Sequence, residues 1–217
     1  MKAKNRFSRI ASIAKHTRKA RKLFTGSGFA AATWGHQGSS LSDSRMVELE
    51  RHALASTGSK PAGRCRTIAL VLAFGLQGTP RSRIVRETMK AWFEVLAQLK
   101  PNVIEDLRVA WAKCRDAIKA DPRDINVRGF LSNLVLLLTR ASWVPETLNC
   151  WEDPRGDKWT LTSSSSPPDI ISNEINTDFL FNELQRADKH YNGAGLKNGC
   201  IIYTSPSPRD EVESPIP

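Results

Sequence analysis

The chain has 217 residues, 40% of them apolar with six Trp and eight Phe, which excludes wholesale disorder and suits one domain of ordinary size with tails. No apolar run approaches the ~18 residues of a membrane-spanning helix, so no membrane partner is expected. The net charge of +10 is unevenly spread: residues 1–42 hold nine Lys/Arg and no Asp or Glu, while the remaining chain carries 23 bases against 22 acids, and such a basic block either meets a polyanion or stays solvated.

Residues 5–22 have helical periodicity, with Phe7, Ile10, Ala11 and Ala14 on one face and Arg6, Arg9 and Lys15 away from it. Three readings of this arm compete. It is a solvated helical arm or the last helix of a neighbouring unit; or it contacts nucleic-acid phosphates through Arg6, Arg9, Lys15, Arg18, Lys19, Arg21 and Lys22; or, being Arg-rich and acid-free, it is a mitochondrial presequence. Residues 23–38 follow as a glycine-hinged apolar segment and a tight turn at Trp34, Gly35 and His36. That turn reads as packing plus a satisfied histidine.

Ser42 is placed to cap a helix, with Leu41 and Met46 at the spacing of a hydrophobic staple. Met46, Leu49, Ala53 and Leu54 form its stripe, and Gly58 is a left-handed stop. Cys65 to Leu76 is apolar nearly all round and is expected to be the buried hub, ending at Gly78. Thr79 and Pro80 open a helix to Leu99 on Ile84, Val85, Met89, Trp92, Phe93 and Leu96. Asn102 with Glu105 resembles a capping box, opening a helix on Leu107, Trp111, Cys114 and Ile118. Asp121 and Pro122 stop it and open the next, with Phe130, Leu131, Leu134, Val135 and Leu138 inward and Arg123, Arg128 and Arg140 outward. Ile68, Leu72, Trp92, Leu96, Leu107, Trp111, Leu134 and Leu138 are expected to be buried together.

After Trp143 regular structure is expected to thin out. Lys158 to Thr162 can make one short strand, and Ser163 to Pro168 is a linker by composition. Trp143, Trp151 and Trp159 recur every eight residues, which read as packing in preference to a base-stacking platform. Asp178 to His190 carries a last stripe of Phe179, Leu180 or Phe181, Leu184 and Ala187. Gly193 and Gly195 lie in a loop, and the Pro-rich residues 200–217 are expected to be disordered.

These elements give an all-α fold: an irregular bundle of about five helices with a basic N-terminal helical arm and a largely irregular C-terminal third. The divisions fall at 1–22 (arm), 23–142 (helical domain), 143–176 (irregular Trp/Pro/Ser-rich linker), 177–199 (C-terminal helix and Gly loop) and 200–217 (tail). Cys65, Cys114, Cys150 and Cys200 have no metal-ligand spacing and read as reduced thiols of an intracellular protein, nuclear or cytoplasmic.

The run from Leu23-Phe24, Thr25-Gly26, the small residues Ala30 to Ala32, Trp34-Gly35-His36 and Leu41-Ser42-Asp43 through to Gly58 resembles the segment just after the polymerase palm in non-LTR (LINE-like) retrotransposon reverse transcriptases. The likeness extends over roughly residues 20–199. It implies a fragment of the thumb-like and connecting region, with Met1 internal to a longer polyprotein whose whole would be an RNA-directed DNA polymerase. His190-Tyr191-Asn192-Gly193-Ala194-Gly195-Leu196 is similar to a segment lying before an RNase H-like domain in those polyproteins. Tyr203 to Asp210 resembles one translated frame of a sequencing adapter, which implies that residues from about Cys200 onward are a library artefact. By this resemblance the chain would hold a template–primer duplex by its backbone without reading sequence.

Catalysis has no visible residue set. Two-metal polymerase chemistry needs clustered carboxylates, and the sequence has no Asp-Asp dipeptide. No catalytic residue, metal ligand, cofactor or small-molecule ligand is expected. The alternatives to nucleic-acid binding are a helical protein–protein adaptor and a degenerate reading frame without selected function.

Overall fold

The computed structural model describes residues 2–58, 65–122, 127–161 and 168–193. Among the described residues the fold is all-α apart from one small hairpin. Residues 162–167, Arg123, Gly195, Cys200 and the tail 200–217 lie outside the described residues, while Gly193, expected in a loop, falls at the end of the last helix.

The basic arm is helical, and it breaks in two. Helix α1 (Lys2–Ala14) buries Phe7, Ile10 and Ala14, and a turn separates it from α2 (Ala20–Leu23). The arm is therefore solvated on one face only. A π turn over Phe24–Gly28 joins α2 to α3 (Phe29–Thr33), so the glycine hinge lies inside a helical segment. Gly28 lets the helices approach closely: a Cβ there would stand 3.0 Å from the Phe7 ring and 3.2 Å from Ile10, so both side chains would have to give way. Helix α4 (Asp43–Ala55) starts as its local chemistry dictates: Ser42 Oγ accepts from the Arg45 N–H at 3.4 Å, and Met46, Leu49, Ala53 and Leu54 are buried. Gly58 follows at φ +72, where an added Cβ would lie 2.6 Å from the Ala14 carbonyl oxygen. The ends of α1 and α4 thus meet at a position closed to any side chain.

Helix α5 (Arg66–Phe74) is not the hub. Only Leu70 is buried in it, and Leu72 is 82% exposed. An apolar helix is central only if neighbours surround it, and α5 packs chiefly against α4. The central position belongs to α8 (Phe130–Arg140), where residues 132–138 are all buried. Helix α6 (Pro80–Gln98) has the expected start, with Thr79 Oγ1 accepting from the Ser82 N–H and Pro80 at the first position. Helix α7 (Pro101–Ala120) begins at Lys100 and Pro101 with no side-chain cap, so the Asn102–Glu105 capping box does not form; Glu105 pairs with Arg108 at 3.2 Å instead. Gly129, at φ +101, rather than Pro122 precedes α8.

The C-terminal third holds more structure than its composition suggests. Strands β1 (Cys150–Glu152) and β2 (Lys158–Thr160) pair antiparallel, with Trp151 opposite Trp159. Helix α9 (Pro168–Gly193) begins ten residues before the expected Asp178 and lies along α6. Residues 143–176 are therefore packed structure on either side of the undescribed stretch. Phe179 is buried as expected, Leu180 and Leu184 are partly so, and Phe181 is exposed.

Two apolar clusters result. The larger holds Val85, Met89 and Trp92 of α6, Trp111 and Ile118 of α7, the inner residues of α8, and Trp143, Trp151, Ile171, Ile175 and Phe179. Leu96 and Leu107 pack at its edge. Indole N–H groups tie the hairpin region to the helices: Trp92 donates to the Leu148 carbonyl (3.2 Å), Trp111 to Pro145 (3.1 Å) and Trp143 to Asp178 (2.7 Å). The three Trp of this region are thus packing residues. The smaller cluster joins Phe7, Ile10, Phe24, Phe29, Met46, Leu49, Leu70 and Ile84.

Candidate nucleic-acid interface

Burial of one face of α1 and α2 decides where their cations go. Phe7, Ile10, Ala14 and Ala20 are buried, so Arg6, Arg9, Lys15, Arg18, Lys19, Arg21 and Lys22 are held on the outside, and all seven are exposed. Two are engaged locally. Arg6 Nη1 donates to the Ser27 carbonyl (3.4 Å) and Arg21 Nη1 to the Ala73 carbonyl (2.9 Å). Arg9, Lys15, Arg18, Lys19 and Lys22 make no ion pair among the described residues. Those between α1 and α2 also lie past the carbonyl end of α1, where cations are favoured on structural grounds alone. Beneath them His52 stacks on Phe7 with ring centroids 4.3 Å apart. Burial lowers its pKa against the raising effect of Glu48, so this imidazole adds no charge to the surface near neutral pH.

The 34–42 segment divides its residues sharply. His36 is buried; its backbone N–H and ring Nδ1 both donate to the Thr33 carbonyl (2.9 and 2.8 Å), and Nε2 lies 3.7 Å from Glu87. Gly35 adopts φ +76. Asn133 of α8 donates to the carbonyls of His36 (2.9 Å) and Gln37 (3.2 Å). Trp34 does not pack: it is 92% exposed. The turn therefore holds a buried histidine bonded through Nδ1 alone, its Nε2 without a hydrogen-bond partner among the described residues and so not the satisfied histidine expected, beside a bare indole, and Ser42 acts as a cap.

Asp153 is buried at the hairpin, a residue the sequence did not single out. Burial pushes its pKa up, but hydrogen bonds from Arg155, from the Trp159 indole and from the backbone N–H groups of Asp157 and Arg155 outweigh this and hold it at about 2. A carboxylate so fully committed has no lone pair left for a substrate. A cavity of about 310 Å³ between the end of α6, the start of α7 and the hairpin is lined by Phe93, Leu96, Ile104, Arg108, Asn149 and Leu161 among others, and no carboxylate, histidine or cysteine lines it. Among the described residues no group of three or more His, Cys, Asp or Glu is placed to hold a metal ion, and no helix is long and apolar enough to cross a membrane. No protein-family model matches the chain, and no curated protein or solved structure matches it.

Proposed function

We propose that the chain is a non-catalytic, nucleic-acid-holding helical unit of the kind that follows the palm in LINE-like reverse transcriptases, and that the α1–α2 surface grips phosphates without reading sequence. One observation carries this reading: seven cations stand exposed on helices whose apolar face is anchored to the core. A regularly charged backbone binds such a surface chiefly by releasing condensed counterions. A floppy basic tail would do the same, but at a larger entropic cost on ordering.

The test is a salt titration on one random duplex. Wild type is expected to bind with a dissociation constant of roughly 10⁻⁴–10⁻⁶ M near physiological salt, and its affinity should fall steeply as salt rises. Lys15, Arg18, Lys19 and Lys22 are the set to reverse to Glu, because they make no ion pair within the described structure and Arg21 does hold a carbonyl. The four-fold variant should weaken every sequence about equally and flatten the salt slope. Equal affinity and slope for the two proteins would remove the surface from nucleic-acid binding and leave a protein–protein adaptor as the better account.

A further inference from the structure

Trp34 contributes almost nothing to the fold that displays it. Of the six tryptophans, Trp92, Trp111, Trp143 and Trp151 are fully buried, Trp159 is half-buried, and Trp34 alone is bare. Its backbone, in contrast, is firmly held. Thr33 Oγ1 donates to the Phe29 carbonyl (2.9 Å), His36 closes the turn onto Thr33, Asn133 grips the next two carbonyls, and the Gly129 N–H donates to the Gly38 carbonyl (3.1 Å). Contacts from α8 and its entrance thus fix a turn whose one large side chain points at solvent.

The surroundings indicate what that ring would meet. Residues 35 and 37–39 are Gly, Gln, Gly and Ser, all exposed, and the preceding helical turn offers Ala30 and Ala31. Within residues 30–39 no second large exposed apolar side chain completes the cluster that a protein partner's apolar core requires or the apolar face that inserts into a membrane surface; the exposed Leu23 stands as far back along the helix as Arg21 and Lys22. One cation adjoins the turn and others lie further along the helix. Exposed Arg128 is next to the Gly129 that bonds Gly38, and Arg21 and Lys22 stand ~20 Å back along the same helical segment at the usual rise. The nearby carboxylate of Glu87 already faces His36 and Arg83. A lone aromatic plane set among small polar groups, with Arg128 beside the turn and the basic surface further along the helix, matches a nucleic-acid strand: a base takes the ring and the phosphates take the charges.

We propose that Trp34 is a stacking residue for an unpaired base, so that the chain binds single-stranded or overhanging nucleic acid beside its basic surface. This rests on the nucleic-acid reading above and narrows its substrate. A stacked base lies flat on the indole, and a base inside a duplex cannot, because its faces are covered by its neighbours. The contact is indifferent to base identity, since every base has a π-face.

The experiment compares wild type, Trp34→Ala, Trp34→Phe and the four-fold Glu variant on a 12-nucleotide single strand and a blunt 12-base-pair duplex at one salt concentration. An exposed side chain can be removed without cost to the fold, so Trp34→Ala should unfold at the wild-type urea midpoint. It should lose about tenfold or more in affinity for the single strand, keep its duplex affinity, and be largely rescued by Phe. Unchanged single-strand affinity in Trp34→Ala overturns the proposal, as does an equal loss on both ligands. If the Glu variant alone weakens binding, the basic surface stands and the stacking role falls. If Trp34→Ala alone weakens it, the reverse holds. Binding of wild type to anionic phospholipid vesicles that Trp34→Ala abolishes, with single-strand affinity unchanged, would assign the ring to a membrane surface and also overturn it.

Discussion

Glu50 and Asp153 are both buried carboxylates with arginine partners, and they bend the pH dependence of stability in opposite directions. Glu50 meets Arg66 (2.8 Å) and Arg81 (3.6 Å), yet burial raises its pKa above the ordinary 4.5 against both guanidinium groups, and Glu183 adds to the rise. The folded chain therefore holds this proton more tightly than the unfolded chain. Stability is expected to fall as pH climbs from 4.5 through the raised value. Asp153 is the reverse case: held at about 2 against an ordinary 3.8, it contributes stability that is complete above 3.8 and lost as pH falls through about 2. Urea midpoints of wild type, Glu50→Gln and Asp153→Asn between pH 2 and 7 check both signs. Glu50→Gln should remove part of the downward slope above 4.5. Asp153→Asn should remove part of the upward slope below about 4 and cost about 2 kcal/mol at neutral pH, the order expected when hydrogen bonds to a charged group are lost. A wild-type-like slope above 4.5 in Glu50→Gln would mean that Arg66 and Arg81 keep the carboxylate ionised throughout.

At the scale of the element, α5 and α8 separate what local sequence can and cannot tell. Both are strongly apolar; one is central and the other has an exposed side. Leu70 is 3% exposed and Leu72 is 82% exposed, two residues apart. Leu70→Ala should cost roughly 2–5 kcal/mol by the usual cavity penalty, whereas Leu72→Lys should stay within about 0.5 kcal/mol. Urea denaturation of the two variants checks this, and a large loss in Leu72→Lys would place α5 at the hub after all. The starts of α4 and α6 were legible because their caps are local: Ser42, Thr79 and Pro80 act on backbone groups within three residues. The face of α5 was not, since a helix apolar all round has no preferred side. The hairpin was half legible, because β2 is only three residues long and its partner β1 can be recognised only through non-local pairing. The early start of α9 was hidden by Ser172, Asn173 and Asn176, poor helix formers, although Ile171, Ile175 and Phe179 mark one buried face. The candidate site divides the same way. The nine bases without an acid in residues 1–42 are visible in composition, but the bareness of Trp34 depends on a turn held by Asn133 and Gly129, about a hundred residues downstream.

The whole molecule is two clusters joined by α6. Ile84 belongs to the smaller cluster, while Val85, Met89 and Trp92 belong to the larger, so one rigid helix runs through both. Arg83 adds a second tie: its guanidinium donates to the Thr25 carbonyl (2.9 Å) and lies over the Phe29 ring (4.1 Å). Fraying the α1–α4 side would strip apolar cover from Ile84 and leave Arg83 without its carbonyl and its ring. The chain is therefore expected to unfold in one cooperative step. The distribution of tryptophan makes this measurable with the natural residues. Trp92, Trp111, Trp143 and Trp151 lie in the larger cluster and Trp159 packs against it, while Trp34 is bare. Tryptophan emission thus reports the larger cluster, and far-UV circular dichroism reports helices of both. Coincident urea transitions by the two probes are the expected result. A dichroism transition that precedes the emission change would show the smaller cluster opening by itself. The basic surface rides on that cluster through Phe7 and Ile10, so nucleic-acid binding would then be lost while the emission still read as native.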